Sequence, residues 1–167
     1  RGCALAEMAR PAVSLTIAAS VAIVRFDRPD QLNAIDIRLH HDLARAFDQI
    51  EEDKTIGAVI LTGAGRAFSA GQDLGERAAT FAAGDTPDLA RSLDELYNPL
   101  VRRIAALPVP VIAAVNGIAF GAGAAIAIGC DIILAAETAR FQFGFVKVGL
   151  GPDCGTSWLL PRLVGQA

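Results

Sequence analysis

The chain has 167 residues, 53% of them hydrophobic and 20% charged, with 15 Lys and Arg against 18 Asp and Glu for a net charge of −3. That length suits one compact domain able to bury about 70% of its unfolded surface, and the apolar content excludes disorder as the dominant state. Cys3, Cys130 and Cys154 are too few and too scattered for a disulfide scaffold and fit a reducing, cytoplasmic setting. The slight acidic excess offers nothing to neutralise phosphates, so no nucleic-acid partner is expected.

Residues 1–14 lack the apolar stretch of a secretory signal. Met8 is the only methionine, which marks residues 1–7 as a candidate non-native or upstream remnant within a tail over 1–12; the core domain is read over 13–167. Residues 13–17 and 21–26 are β-rich runs joined by small residues, a hairpin. Asp36 is a helix N-cap, followed by Leu39, Leu43, Phe47 and Ile50 at helical spacing as far as Glu52. Residues 58–61 predict a fully buried strand, and a glycine-rich loop follows over 63–73. Residues 75–88 have no clean period and predict a mobile loop or frayed helix. Leu89, Leu93, Leu96, Leu100, Ile104 and Leu107 mark a long amphipathic helix that Pro108 and Pro110 end. A buried strand over 111–115, a turn at Asn116-Gly117, a small-residue helix over 121–129, a strand over 131–136 and a helix over 155–163, entered through Pro152 and Asp153, complete the chain. The uncharged stretch 109–130 is long enough to cross a bilayer. Pro110, Asn116, Gly117, Gly121, Gly123 and Gly129 cut it into short buried elements instead, and no membrane span is expected. Strands alternating with helices give an α/β fold with a mostly parallel sheet and no visible internal repeat.

Two glycine-rich segments follow strands, over 61–71 and 116–123. Neither carries the Lys and Ser or Thr of a Walker loop, and Phe68 and Ile126 stand where a dinucleotide fingerprint needs its third glycine. Both offer backbone N–H groups, the second at the start of a helix whose dipole favours negative charge, so paired donors could converge on one oxygen. Tight turns and close packing explain the same glycines about equally well. No His, Cys, Asp or Glu cluster has metal-ligand spacing, so no metal is expected.

The segment from Leu61 through Gly63, Gly65, Phe68, Ser69, Ala70, Gly71, Gln72 and Asp73 to Leu74 resembles the first signature of the enoyl-CoA hydratase/isomerase (crotonase) superfamily. The segment from Pro110 through Asn116 and Gly117 to Gly121, Ala122 and Gly123 resembles the second. Arg28-Pro29, Leu32-Asn33-Ala34 and Cys130-Asp131 occur in the family's order, so the resemblance runs over nearly all of 13–167. The stretches from Tyr97 to Arg103, from Gly149 to Gly155 and from Trp158 to Arg162 are similar to the phenylacetate-degradation branch, the epoxyphenylacetyl-CoA isomerases.

The resemblance implies a spiral of stacked ββα units, with a further C-terminal helical part that completes a homotrimer or hexamer. It implies an oxyanion hole for an acyl-CoA thioester, formed by the N–H groups of Ala70 and Ala122, the latter where many members carry glycine. Ala70, Gly71, Gln72, Asp73 and Leu74 would hold the CoA portion, which belongs to the substrate, so no separate cofactor is expected. The hydratases' two catalytic glutamates correspond to Ala125 and Phe145 here, which excludes simple hydration. Asp153 stands where several isomerases keep a catalytic aspartate and is assigned proton transfer in an apolar pocket lined by Phe143, Phe145 and Trp158, where desolvation would favour its neutral form. The implied reaction is conversion of ring-epoxide phenylacetyl-CoA to its oxepin. A double-bond-shifting enoyl-CoA isomerase and a non-catalytic CoA-thioester-binding paralogue are the alternatives.

Plainer roles compete for the same residues. Asp153 follows proline before a helix and would serve as its N-cap. Asp73 would brace its own loop, and Asp131 is expected to be structural. Arg102 and Arg103 would form a solvated helix end or subunit contact rather than meet CoA phosphates. His40 and His41 lie on a surface helix without chemistry, and Cys154 is a packed thiol.

Overall fold

The computed structural model describes residues 10–86 and 88–165, so the remnant expected at residues 1–7 lies outside the described residues. In chain order the elements are β1 (Val13–Ala18), β2 (Val21–Phe26), α1 (Ile37–Glu52), β3 (Ala58–Gly63), β4 (Ala67–Ser69), α2 (Leu74–Ala82) and α3 (89–106). Then follow β5 (Val111–Val115), β6 (Ile118–Phe120), α4 (Ala122–Ile128), β7 (Ile132–Ala135), β8 (Arg140–Gln142) and α5 (Thr156–Val164).

β1 and β2 form the expected antiparallel hairpin, turning through Ala19 at φ 53°. β3, β5 and β7 extend it in parallel to a five-stranded sheet of order β1-β2-β3-β5-β7. A second, all-parallel sheet of three-residue strands, β4-β6-β8, has no counterpart in the sequence reading. Strand, strand, helix therefore recurs as β3-β4-α2, β5-β6-α4 and β7-β8-α5, each unit giving its first strand to the large sheet and its second to the small one. This is the crotonase fold.

Asp36 caps α1 as expected, its carboxylate accepting from Leu39 N at 2.7 Å. Leu39, Leu43 and Phe47 are wholly buried where α1 lies against β1 and β2, and Phe26 meets Phe68 edge-on at 5.3 Å. β3 is not fully buried: Val59, Leu61 and Gly63 face the core while Ala58, Ile60 and Thr62 are half-buried on the other face of the sheet. The stretch after Asp73 is a helix, because Asp73 Oδ1 accepts from Gly75 N at 2.9 Å and Glu76 N at 3.3 Å. The side chains of α2 whose burial is described are exposed.

α3 is the long amphipathic helix, with one departure. Leu89–Ser92 runs into a π turn at Leu93–Tyr97, where Asn98 N donates to Leu93 O, and then into Asn98–Ala106. Tyr97, the last residue of the π turn, is buried. Among the described residues no helix is long and apolar enough to cross a membrane.

Candidate active site

The site lies where the chain leaves β4 and β6, and two side-chain amides shape the turn that leads into β4. Asn33, wholly buried at φ 56°, accepts from Arg28 N at 2.9 Å and donates to Ala64 O at 2.9 Å and Ala67 O at 2.8 Å. Asn tolerates this left-handed conformation better than most residues. Asn116 accepts from Gly63 N at 3.2 Å and donates to Gly65 O at 2.9 Å and Ala67 O at 3.3 Å. Arg28 bridges Asp36 at 3.1 Å and Asp73 at 3.0 Å, tying the start of α1 to the start of α2. Two glycines bring the exits together. A Cβ on Gly71 (φ 79°) would lie 2.6 Å from Phe120 O and 3.2 Å from Ala122 N, and one on Gly123 would lie 2.5 Å from Ser69 O.

That packing decides which N–H groups remain open. Ala70 N donates to Leu32 O at 2.9 Å, Gly71 N to Ser69 Oγ at 3.2 Å and Asp73 N to Ile35 O at 3.0 Å. The N–H of Gln72 meets no acceptor among the described residues, nor does that of Ala122 at the start of α4. The expectation for Ala70 is thus corrected: its amide is spent on the loop that carries Asn33, and the open donor after β4 is two residues further on. Ala122 keeps its expected availability, since the first N–H groups of a helix have no partner within it.

Gln72 and Ala122 both face a cavity of about 230 Å³ whose wall is mostly apolar, from Leu74, Leu89, Leu93, Phe120, Phe145 and Leu150 among others. Asp153 is the only carboxylate among the described residues that line it. The capping role for the Asp153 side chain fails, because the N-cap of α5 is Gly155 at φ 77° without a side-chain bond; the Asp153 carbonyl accepts from Thr156 N at 2.8 Å. Phe145 lines the cavity as expected. Trp158 does not: it is 62% exposed under the Arg162 guanidinium, 3.1 Å from its ring centre, while Phe143 packs against the core. Ala125 is wholly buried in α4, so neither glutamate position offers a carboxyl.

The other expected residues divide. Asp73 braces its loop; burial pushes its carboxyl up, but Arg28 and the N–H groups of Glu76 and Gly75 outweigh burial and hold it below its ordinary value. Leu74 is exposed at the cavity rim. Asp131 is structural, accepting from Val111 N at 2.8 Å. Arg103 joins α3 to α1 through Asp48 and Glu51, both at 2.7 Å. Cys154 is a packed thiol whose burial, with Asp153 beside it, pushes its pKa up.

His40 is not on the surface: it is buried, its ring meeting Tyr97 edge-on at 4.5 Å. Burial, aided by His41 and opposed by Asp36, lowers its pKa to about 4, so it is neutral at pH 7. Tyr97 Oη in turn donates to Gln72 Oε1 at 2.7 Å. Sequence reading missed this chain of contacts, because nothing local ties Tyr97 to His40 or Gln72, which lie far away in the chain.

Residues 16–167 match the family model described as enoyl-CoA hydratase/isomerase. The chain belongs to that family. It is 52% identical over 147 residues to the 1,2-epoxyphenylacetyl-CoA isomerase of Escherichia coli (strain K12), covering 88% of this chain and 56% of that protein. A Rhodobacter capsulatus protein named "Probable enoyl-CoA hydratase" is 42% identical over 151 residues, covering 90% of this chain and 56% of its own. The crystal structure of an enoyl-CoA hydratase from Bacillus anthracis superposes with a TM-score of 0.83 at 34% identity, over 93% of this chain and 59% of that one. The chain therefore spans little more than half the length of these relatives.

Proposed function

We propose that the protein isomerises an acyl-CoA thioester, with ring-epoxide phenylacetyl-CoA as substrate and its oxepin as product. The observation that carries this reading is the pairing of two open main-chain donors, Gln72 and Ala122, with a single carboxylate, Asp153, around one apolar cavity. Deprotonation next to a thioester puts negative charge on the thioester oxygen, and one aimed donor is typically worth about 100- to 1000-fold in rate. Asp153 takes the α-proton and the two N–H groups hold the enolate oxygen. As the enolate collapses, a double bond forms from the α-carbon to the ring, the carbon–carbon bond shared by the epoxide and the six-membered ring breaks to give the seven-membered ring, and the carboxylic acid returns the proton to a ring-derived carbon. No atom is gained or lost, and no added cofactor takes part.

With Ala125 and Phe145 at the positions where hydratases of the resemblance carry glutamate, no second carboxyl among the described residues lines the cavity to activate water. The 52% identity to an epoxyphenylacetyl-CoA isomerase supports the choice of acyl group. The main chain from Ala70 to Leu74, beside the cavity, would take the CoA arm. The exposed apolar residues Ile132, Leu134, Val146 and Trp158 would be covered in a homotrimer or hexamer.

The test uses the intact protein and Asp153→Asn, following solvent proton exchange and isomer formation on the ring-epoxide and on straight 3-enoyl thioesters. Asp153→Asn is expected to lose about 100- to 10,000-fold in turnover while still binding the thioester. Activity on the straight chain alone would replace the substrate by that of a double-bond-shifting isomerase. Thioester binding with no turnover of either substrate would leave a binding protein.

A further inference from the structure

The residue that carries the open donor after β4 is also tied by its side chain to the cavity wall. Gln72 lies between two main-chain bonds to Ile35, in which Ile35 N donates to Gly71 O at 2.7 Å and Asp73 N donates to Ile35 O at 3.0 Å. Those bonds hold the loop to the segment before α1 and leave its distance from α3 unspecified. Tyr97 supplies that constraint. Its hydroxyl donates to Gln72 Oε1 at 2.7 Å, and its ring, 3% exposed, is seated against the edge of buried His40. Leu93, at the start of the π turn that ends at Tyr97, lines the same wall. A phenol between a buried imidazole and an amide has little room to move, so its hydroxyl is a fixed point.

The geometry points to Tyr97 as a positioning residue that, through the Gln72 side chain, sets the Gln72 N–H relative to the wall that receives the acyl group. This rests on the reading of Gln72 and Ala122 as the thioester-oxygen site. Seating of the acyl group and polarisation of its carbonyl are thereby coupled through one hydrogen bond.

Tyr97→Phe removes that bond and keeps the ring against His40. In the intact protein, the probe is phenylacetyl-CoA labelled with carbon-13 at the thioester carbonyl, read by isotope-edited infrared spectroscopy and by α-proton exchange with solvent deuterium. In the wild type the bound carbonyl band falls below that of the free thioester. In Tyr97→Phe it moves back toward the free position, exchange slows about tenfold, as expected for one lost hydrogen bond, and the dissociation constant changes less than about twofold. Gln72→Leu removes the acceptor instead and serves should Tyr97→Phe not fold; the double variant is no slower than either single one. A shifted wild-type band that neither single variant alters, with unchanged exchange, overturns the positioning role and leaves the oxygen site standing. An unshifted wild-type band removes the oxygen site itself, and this inference with it.

Discussion

Replacing Gly123 with alanine puts a methyl group on the seam between α4 and β4. Built on the backbone as it stands, that carbon lies 2.5 Å from Ser69 O, 2.7 Å from Ser69 Cβ and 2.9 Å from Ser69 Oγ. Ordinary contact begins at 3.4 Å, so the deficit is about 0.9 Å, and the nearest atom is a main-chain oxygen that no rotamer change removes. Turning the Ser69 side chain brings no relief either, because its hydroxyl donates to Asn33 O at 2.8 Å and accepts from Gly71 N at 3.2 Å. The seam must open, at the usual cost of overpacking, about 1–3 kcal/mol. Since Ala122 begins α4 and Gln72 follows β4, the two donors separate by a comparable distance. A misplacement of about 1 Å typically costs about 100-fold in rate. Urea unfolding and initial rates of isomerisation or α-proton exchange on the intact protein measure both effects. Gly57→Ala is the control: its Cβ would have no neighbour closer than 3.8 Å, and a change within about 0.5 kcal/mol is expected. A Gly123→Ala protein with wild-type stability and wild-type rate would refute the argument that this close approach sets the donor spacing.

His40 makes stability depend on pH. Its folded pKa, about 4, lies below its ordinary value of 6.5, so the unfolded chain takes up this proton first as pH falls. Its contribution is complete above about pH 6.5 and is lost toward pH 4, on the order of 3 kcal/mol; His40→Gln should flatten the stability profile in that window, and an unchanged slope would show that His40 is not buried neutral. Asn33→Ala leaves Arg28 N and Ala64 O without their partners and puts alanine at φ 56°, which should cost about 2–4 kcal/mol in urea unfolding. Asn33→Gly removes the same bonds without the backbone penalty and should be less damaging; equal losses would mean that the conformation contributes nothing.

The α/β class, the hairpin, the Asp36-capped α1, the apolar strands β3, β5 and β7 and the helical run of α3 were legible in the sequence because each is a local pattern. Alternation, helical period, a cap and a proline stop act over a few residues. The glycine loops were legible from their composition after predicted strands, and Asp153 in the cavity through resemblance to the family. Three features were decided only in the tertiary structure. The strands β4, β6 and β8 have three residues each, too few to show a period, and exist because each finds its partner in another ββα unit. The π turn in α3, with the bond from Tyr97 at its end to Gln72, a residue 25 positions earlier, is another. Which amide stays open after β4 depends on Leu32, whose carbonyl occupies Ala70 N and leaves Gln72 N. Every non-proline residue carries the same main-chain donor, so side-chain identity cannot distinguish Ala70 from Gln72. The packing of distant carbonyls makes that choice, and with it the position of the proposed oxygen site.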